Sequence, residues 1–88
     1  MEQRIQIRME NVPGALMRVA GVLTAKGCNI RSLIVEPERG DCRFSQMYLI
    51  ADVEPRLRAR VISQIDRLIN VLEVWDVSTT QSMEQAAC

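Results

Sequence analysis

There is no histidine in these 88 residues. That excludes ordinary zinc sites and removes the commonest general base. Cysteine is scarce: Cys28, Cys42 and Cys88 are odd in number and show neither C-x-x-C nor paired spacing. They read as reduced thiols in a cytoplasmic protein, neither a disulfide framework nor a metal site. One Phe, one Tyr and one Trp are too few to stack nucleobases on a sheet. Charge of one sign is missing too, since Lys+Arg and Asp+Glu balance at 11 each. No basic surface for nucleic acid is implied, and one deterrent to self-association is absent. No apolar run nears the ~20 residues of a transmembrane helix, and no signal-peptide pattern opens the chain. The expectation is a single small cytoplasmic domain with no metal, nucleic-acid or membrane partner, too small for a deep enclosed active site.

What is present is organised around residues 10–35. Ile5, Ile7 and Met9 alternate with Arg4, Gln6 and Arg8, the period-2 pattern of a strand with one buried face. Leu16, Val19, Ala20 and Leu23 then recur at helical spacing until Lys26-Gly27. Between them lies Asn11-Val12-Pro13-Gly14. Asn is a favoured N-cap and Pro suits a first helical turn, so Asn11 or Val12 would precede the helix. The first amides of a helix lack intrahelical partners and sit at the positive end of its dipole, a natural seat for a carboxylate or phosphate. Gly14 would let a ligand approach the backbone. The plainer alternative is that Asn11 only caps and Gly14 only eases a turn.

The remainder follows in order. Asn29–Glu36 and Arg43–Ala51 read as strands around a turn at Pro37-Glu38-Arg39-Gly40-Asp41. Both phases of the second strand carry apolar residues; Met47 and Leu49 are expected to face the helices. Asp52 is a plausible N-cap with Pro55 in the first turn of a second helix. The stripe of that helix would be Leu57, Val61, Ile65, Leu68 and Ile69, with Arg56, Arg58, Arg60, Gln64 and Arg67 elsewhere. Val71–Val77 closes as a strand, and a polar tail from Ser78 is expected to fray. The order βαββαβ gives an α+β, ferredoxin-like plait: a four-stranded antiparallel sheet, strand order 4-1-3-2, with two helices on one face. The second strand is then an edge. Leu33-Ile34-Val35 on an edge invites pairing with a second copy, giving a two-fold dimer with a continuous eight-stranded sheet.

Many activities sit on this plait. A metal-carrier version would want C-x-x-C in the first loop, which holds no sulfur. A small acylphosphatase-like hydrolase would use an arginine and an asparagine, for which Asn11 and Arg18 are the available pair. The sequence resembles something more specific. Asn11-Val12-Pro13-Gly14-Ala15-Leu16-Met17-Arg18-Val19 followed by Gly27-Cys28-Asn29-Ile30-Arg31-Ser32-Leu33 is similar to the ACT domain of the small regulatory subunit of acetohydroxyacid synthase (acetolactate synthase). The similarity continues through Ser45-Gln46-Met47 and Gln64-Ile65-Asp66-Arg67-Leu68-Ile69-Asn70-Val71-Leu72-Glu73-Val74 and covers about residues 3–78. N-x-P-G-x-L is shared by ACT domains generally; joined to G-x-N-I-x-S-L at this separation it is specific.

The resemblance implies an ACT domain over residues 1–78, a tail over 79–88, and no catalysis by this chain itself. It implies a regulatory partner for the large catalytic subunit of branched-chain amino acid biosynthesis. Thiamine diphosphate, Mg and FAD would belong only to that subunit. It also implies a valine-type effector bound at an ACT dimer interface. The effector's carboxylate would meet the backbone around Gly14, Ala15 and Leu16, Asn11 would orient its polar end, and Asn29 with Ile30 would close the site from the neighbouring copy. A stand-alone ACT sensor for another amino-acid pathway is the alternative. Cys28 stands where the family more often has an aromatic, Ala25-Lys26 replaces a commoner basic pair, and Met17 replaces a smaller or polar residue. Many relatives carry a second domain of similar size.

Overall fold

A computed structural model describes residues 2–77; the polar tail expected from Ser78 lies outside them. The elements are β1 (Glu2–Glu10), α1 (Ala15–Ala25), β2 (Asn29–Pro37), β3 (Phe44–Asp52), a short 3₁₀ turn (Pro55–Leu57), α2 (Arg58–Asp66) and β4 (Val71–Asp76). The sheet order is β2-β3-β1-β4 with every neighbour antiparallel. This is the expected plait, and β2 is an edge.

Strand alternation sets the core. In β1, Gln3, Ile5, Ile7 and Met9 are buried while the residues between them are more exposed. Across the β1–β3 ladder, Ile7 faces Met47 and Ile5 faces Leu49. Ser45, Met47, Leu49 and Ala51 are therefore the buried set of β3, as expected. Ala15, Val19 and Leu23 of α1 and Val61 and Ile65 of α2 close the core over that face.

Three expectations are corrected. Leu16 does not join the stripe of α1 and is exposed, while Ala15 takes its place. The helix begins at Ala15, and positions 15, 19 and 23 repeat every four residues along one face. Ile69 is 85% exposed. The helix ends at Asp66, so Ile69 lies in the turn beyond it and no longer follows the helical period. Asp52 is the last residue of β3 rather than a cap; Glu54 precedes the 3₁₀ turn that Pro55 opens.

The far end of α1 is closed by a glycine. Gly27 has φ +73°, its amide donates to Thr24 O at 3.0 Å, and the Cys28 amide donates to Leu23 O at 2.9 Å. This paired pattern with a left-handed residue is the Schellman closure. It turns the chain directly into β2.

Candidate functional site

The other end of α1 is built differently. Gly14 has φ 87° and ψ −15° and stands at the N-cap, with no side-chain cap bond. Those angles are close to the second central residue of a type II turn (about +80°, 0°), where proline is favoured one position earlier. Pro13-Gly14 thus forms the corner of the turn Val12–Ala15, closed by the Ala15 amide donating to Val12 O at 3.3 Å. The conformation itself requires the glycine. A Cβ at position 14 would meet nothing within 4 Å, so the space in front of the turn is open.

Asn11 therefore does not cap the helix, correcting the first expectation for it. Its Nδ2 donates to Cys42 O at 2.9 Å, and its amide donates to Arg43 O at 2.7 Å. Because the donor nitrogen must face a carbonyl, the side chain's orientation is fixed and its Oδ1 is turned away from that bond. The first bond of the helix runs from the Arg18 amide to Gly14 O at 3.0 Å. Among the described residues, the amides of Gly14, Leu16 and Met17 meet no backbone acceptor. These are the outward donors that a helix start leaves over.

The hairpin that receives Asn11 is itself pinned. Arg8 donates from Nε to Glu38 Oε2 at 2.8 Å and from Nη2 to Oε1 at 3.2 Å, and its guanidinium lies 4.5 Å from the Phe44 ring centre. The bond from Arg8 is the main cause holding the Glu38 carboxyl below its ordinary range. Asp41 accepts from the side chain and the amide of Arg43, which lowers its carboxyl to about 2. On the opposite flank, Asn70 accepts at Oδ1 from Arg18 and donates from Nδ2 to Glu10 Oε1 at 3.0 Å.

Asn11, Gly14, Ala15 and Leu16 are thus contiguous at one end of the sheet. Asn29 and Ile30 are not with them. Asn29 pairs with Asp52, which pairs with Glu2, whereas the turn follows Glu10, which pairs with Phe44. Eight strand residues, roughly 26 Å at ~3.3 Å each, separate the two levels within one chain. Arg18 and Asn11 are each committed within the fold, to Asn70 and to Cys42, so the pair suggested for a hydrolase is not presented together. Among the described residues no group of three or more His, Cys, Asp or Glu is placed to hold a metal ion. No helix there is long and apolar enough to cross a membrane. Glu10, Asn70 and the carbonyls of Cys42 and Arg43 were not expected at the site. Asn70 sits inside one of the motifs quoted above, yet only the fold reveals what it touches.

Comparison with known proteins agrees with this architecture. Residues 5–73 match the family described as AHAS small subunit-like ACT domain. A probable acetolactate synthase small subunit of Archaeoglobus fulgidus is 36% identical over 89 residues, covering 100% of this chain and 54% of that protein. The acetolactate synthase isozyme 3 small subunit of Escherichia coli is 29% identical over 85 residues, covering 97% of this chain and 52% of its own length. The chain thus spans about half the length of the curated relatives it matches. Among solved structures, an acetolactate synthase small subunit from Thermotoga maritima superimposes with TM-score 0.74 at 21% identity, covering 86% of this chain and 47% of that one. The ACT domain of a Chlorobium tepidum GTP pyrophosphokinase gives TM-score 0.69 at 18% identity, covering 85% of this chain and 95% of that one. At these identities the likeness shows the fold alone.

Proposed function

Since the chain belongs to the AHAS small subunit-like ACT domain family, we propose that it is a regulatory, non-catalytic acetolactate synthase subunit whose effector is a branched-chain amino acid of the valine type. The observation that carries the reading is the open helix start: a glycine corner with free space before it and amides at Gly14, Leu16 and Met17 that meet no backbone acceptor among the described residues. A carboxylate fits that donor set, helped by the helix dipole. Ala15 contributes backbone shape rather than a donor, because its amide is used within the turn. Asn11 Oδ1 accepts from the effector's ammonium group, its Nδ2 being held by Cys42 O.

One chain supplies only half of such a site. Leu33, Ile34 and Val35 are exposed on the β2 edge, and an apolar edge left unpaired is a liability. Antiparallel pairing of two β2 strands centred near Leu33 sets the start of one strand beside the end of the other. Asn29 and Ile30 of the second copy then stand level with Gly14 of the first, closing the site over the bound amino acid. Effector binding and dimer geometry become linked, so ligand changes what the pair presents to the large catalytic subunit, which holds the thiamine diphosphate.

Calorimetry with valine tests the ligand half of this reading. Binding is expected at micromolar to millimolar strength, about 4–8 kcal/mol. Co-purification with a large thiamine-diphosphate enzyme, assayed with and without valine, tests the partner half. Capture of a different amino-acid-pathway enzyme instead would favour a separate ACT sensor.

A further inference from the structure

Asn70 lies outside the turn, yet it joins three elements. Its backbone oxygen accepts from the Glu10 amide at 2.8 Å, its Oδ1 accepts from Arg18 Nη1, and its Nδ2 donates to Glu10 Oε1 at 3.0 Å. Glu10 ends β1 immediately before the turn, and Arg18 is the residue whose amide makes the first bond of α1. The turn from Asn11 to Met17 is therefore bracketed on both sides by residues that Asn70 holds. Both side-chain atoms of the amide are used with the correct polarity, acceptor toward guanidinium and donor toward carboxylate. No other residue type offers both at that length. A hydrophobic or purely structural filler at the end of α2 would not need this; the chain there has no helix to cap, since α2 has ended at Asp66.

We infer that Asn70 is a positioning residue for the effector site. Through Arg18 and Glu10 it sets the angle between the end of β1 and the start of α1, and hence the direction in which the amides of Leu16 and Met17 point. The inference rests on the proposed effector role of that turn for its consequence in binding, but not for its consequence in the free protein. It also makes the α2–β4 turn the element through which the occupied site is felt elsewhere, because any shift of α1 toward a bound carboxylate pulls on Asn70.

The test uses the full chain with two variants and two readouts. Asn70→Asp keeps an acceptor for Arg18 but sets a carboxylate against Glu10. The double variant Glu10→Gln with Asn70→Asp reverses the donor and acceptor and restores both bonds. The Glu10 amide bond to the backbone oxygen persists in each. Amide hydrogen exchange in the free protein is expected to accelerate in Asn70→Asp at Ala15 and Arg18, whose amides are bonded to Val12 O and Gly14 O within the turn. Ile7 and Leu49 should stay unchanged, and the double variant should return to the native rates. Valine affinity is expected to fall about tenfold in the single variant, the scale of one well-placed hydrogen bond, and to recover in the double. Unchanged exchange at Ala15 and Arg18 in Asn70→Asp, or no recovery in the double variant, overturns the inference. If exchange follows the expected pattern while the native chain binds no branched-chain amino acid, the positioning stands and the effector reading falls.

Discussion

The two ends of α1 have opposite finishes. At Lys26–Cys28 the chain closes the helix: the Lys26 amide reaches Val22 O and Leu23 O, Gly27 reaches Thr24 O, and Cys28 reaches Leu23 O. At Gly14–Met17 there is no capping side chain, and three amides stay unanswered among the described residues. Both ends use a glycine with positive φ, +87° and +73°, so a left-handed turn residue is common to them. What differs is whether the polar groups are consumed. The open end, beside an asparagine pinned by a distant carbonyl, is the one on which the proposed effector site rests; the closed end has no such role in the proposal.

The sharpest way to break this contrast is to place the same charge at both glycines. Gly14→Asp is expected to cut valine affinity more than about a hundredfold, because a like charge beside a bound carboxylate costs several kcal/mol. Gly27→Asp should leave affinity near native. Each carries a similar conformational cost of about 1–2 kcal/mol, visible as a matched fall in Tm. Equal affinity losses in the two variants, by calorimetry, would remove the distinction.

Next in size is the core. Leu23 is fully buried at the closed end, Leu16 exposed at the open one. Leu23→Ala is expected to lose about 2–5 kcal/mol by denaturant unfolding, and Leu16→Ala well under half of that. The edges come third. Ile34→Lys on β2 should weaken self-association by about tenfold or more while leaving the monomer folded, since a lysine on an edge opposes strand pairing. Leu72→Lys on β4, the other edge, should leave self-association unchanged. Sedimentation equilibrium separates the two.

The smallest effect is electrostatic. The Asp41 carboxyl is lowered to about 2 by its bonds from Arg43. Its folded value lies below the unfolded one, so the contribution is complete above about pH 4 and is lost as pH falls toward about 2. Asp41→Asn should lessen the loss of stability across that window, in thermal melts taken from pH 2 to pH 6. The remaining slope includes that of Glu38, whose carboxyl Arg8 also holds low.

How far these features were legible in the sequence follows from how local they are. The alternation of Ile5, Ile7 and Met9 and the βαββαβ order needed only neighbouring residues and general connection rules, and the strand order came with them. Met47 and Leu49 were resolvable because each faces a β1 residue of known phase. Leu16 and Ile69 misled because period alone does not say where a helix begins or ends; the Pro13-Gly14 corner starts α1 at Ala15, and α2 stops at Asp66 without a glycine or proline to announce it. The partners of Asn11 and Glu10 lie 31 and 60 residues away. Such bonds leave no local pattern, so Asn11 looked like a cap and Asn70 was quoted only as part of a family motif. Asn29 and Ile30 were named from a family resemblance; the fold adds that they sit at the other end of the sheet from Gly14 in the same chain.

That separation supplies the most direct measurement. Valine titrated into the labelled full chain, followed through backbone amide resonances, should move Leu16, Met17, Asn29 and Ile30 together with one saturation curve, although the two groups stand roughly 26 Å apart within a protomer. Gly27 should hardly shift. Movement confined to one group, or none at either, would contradict a cradle for a small acid assembled from two copies.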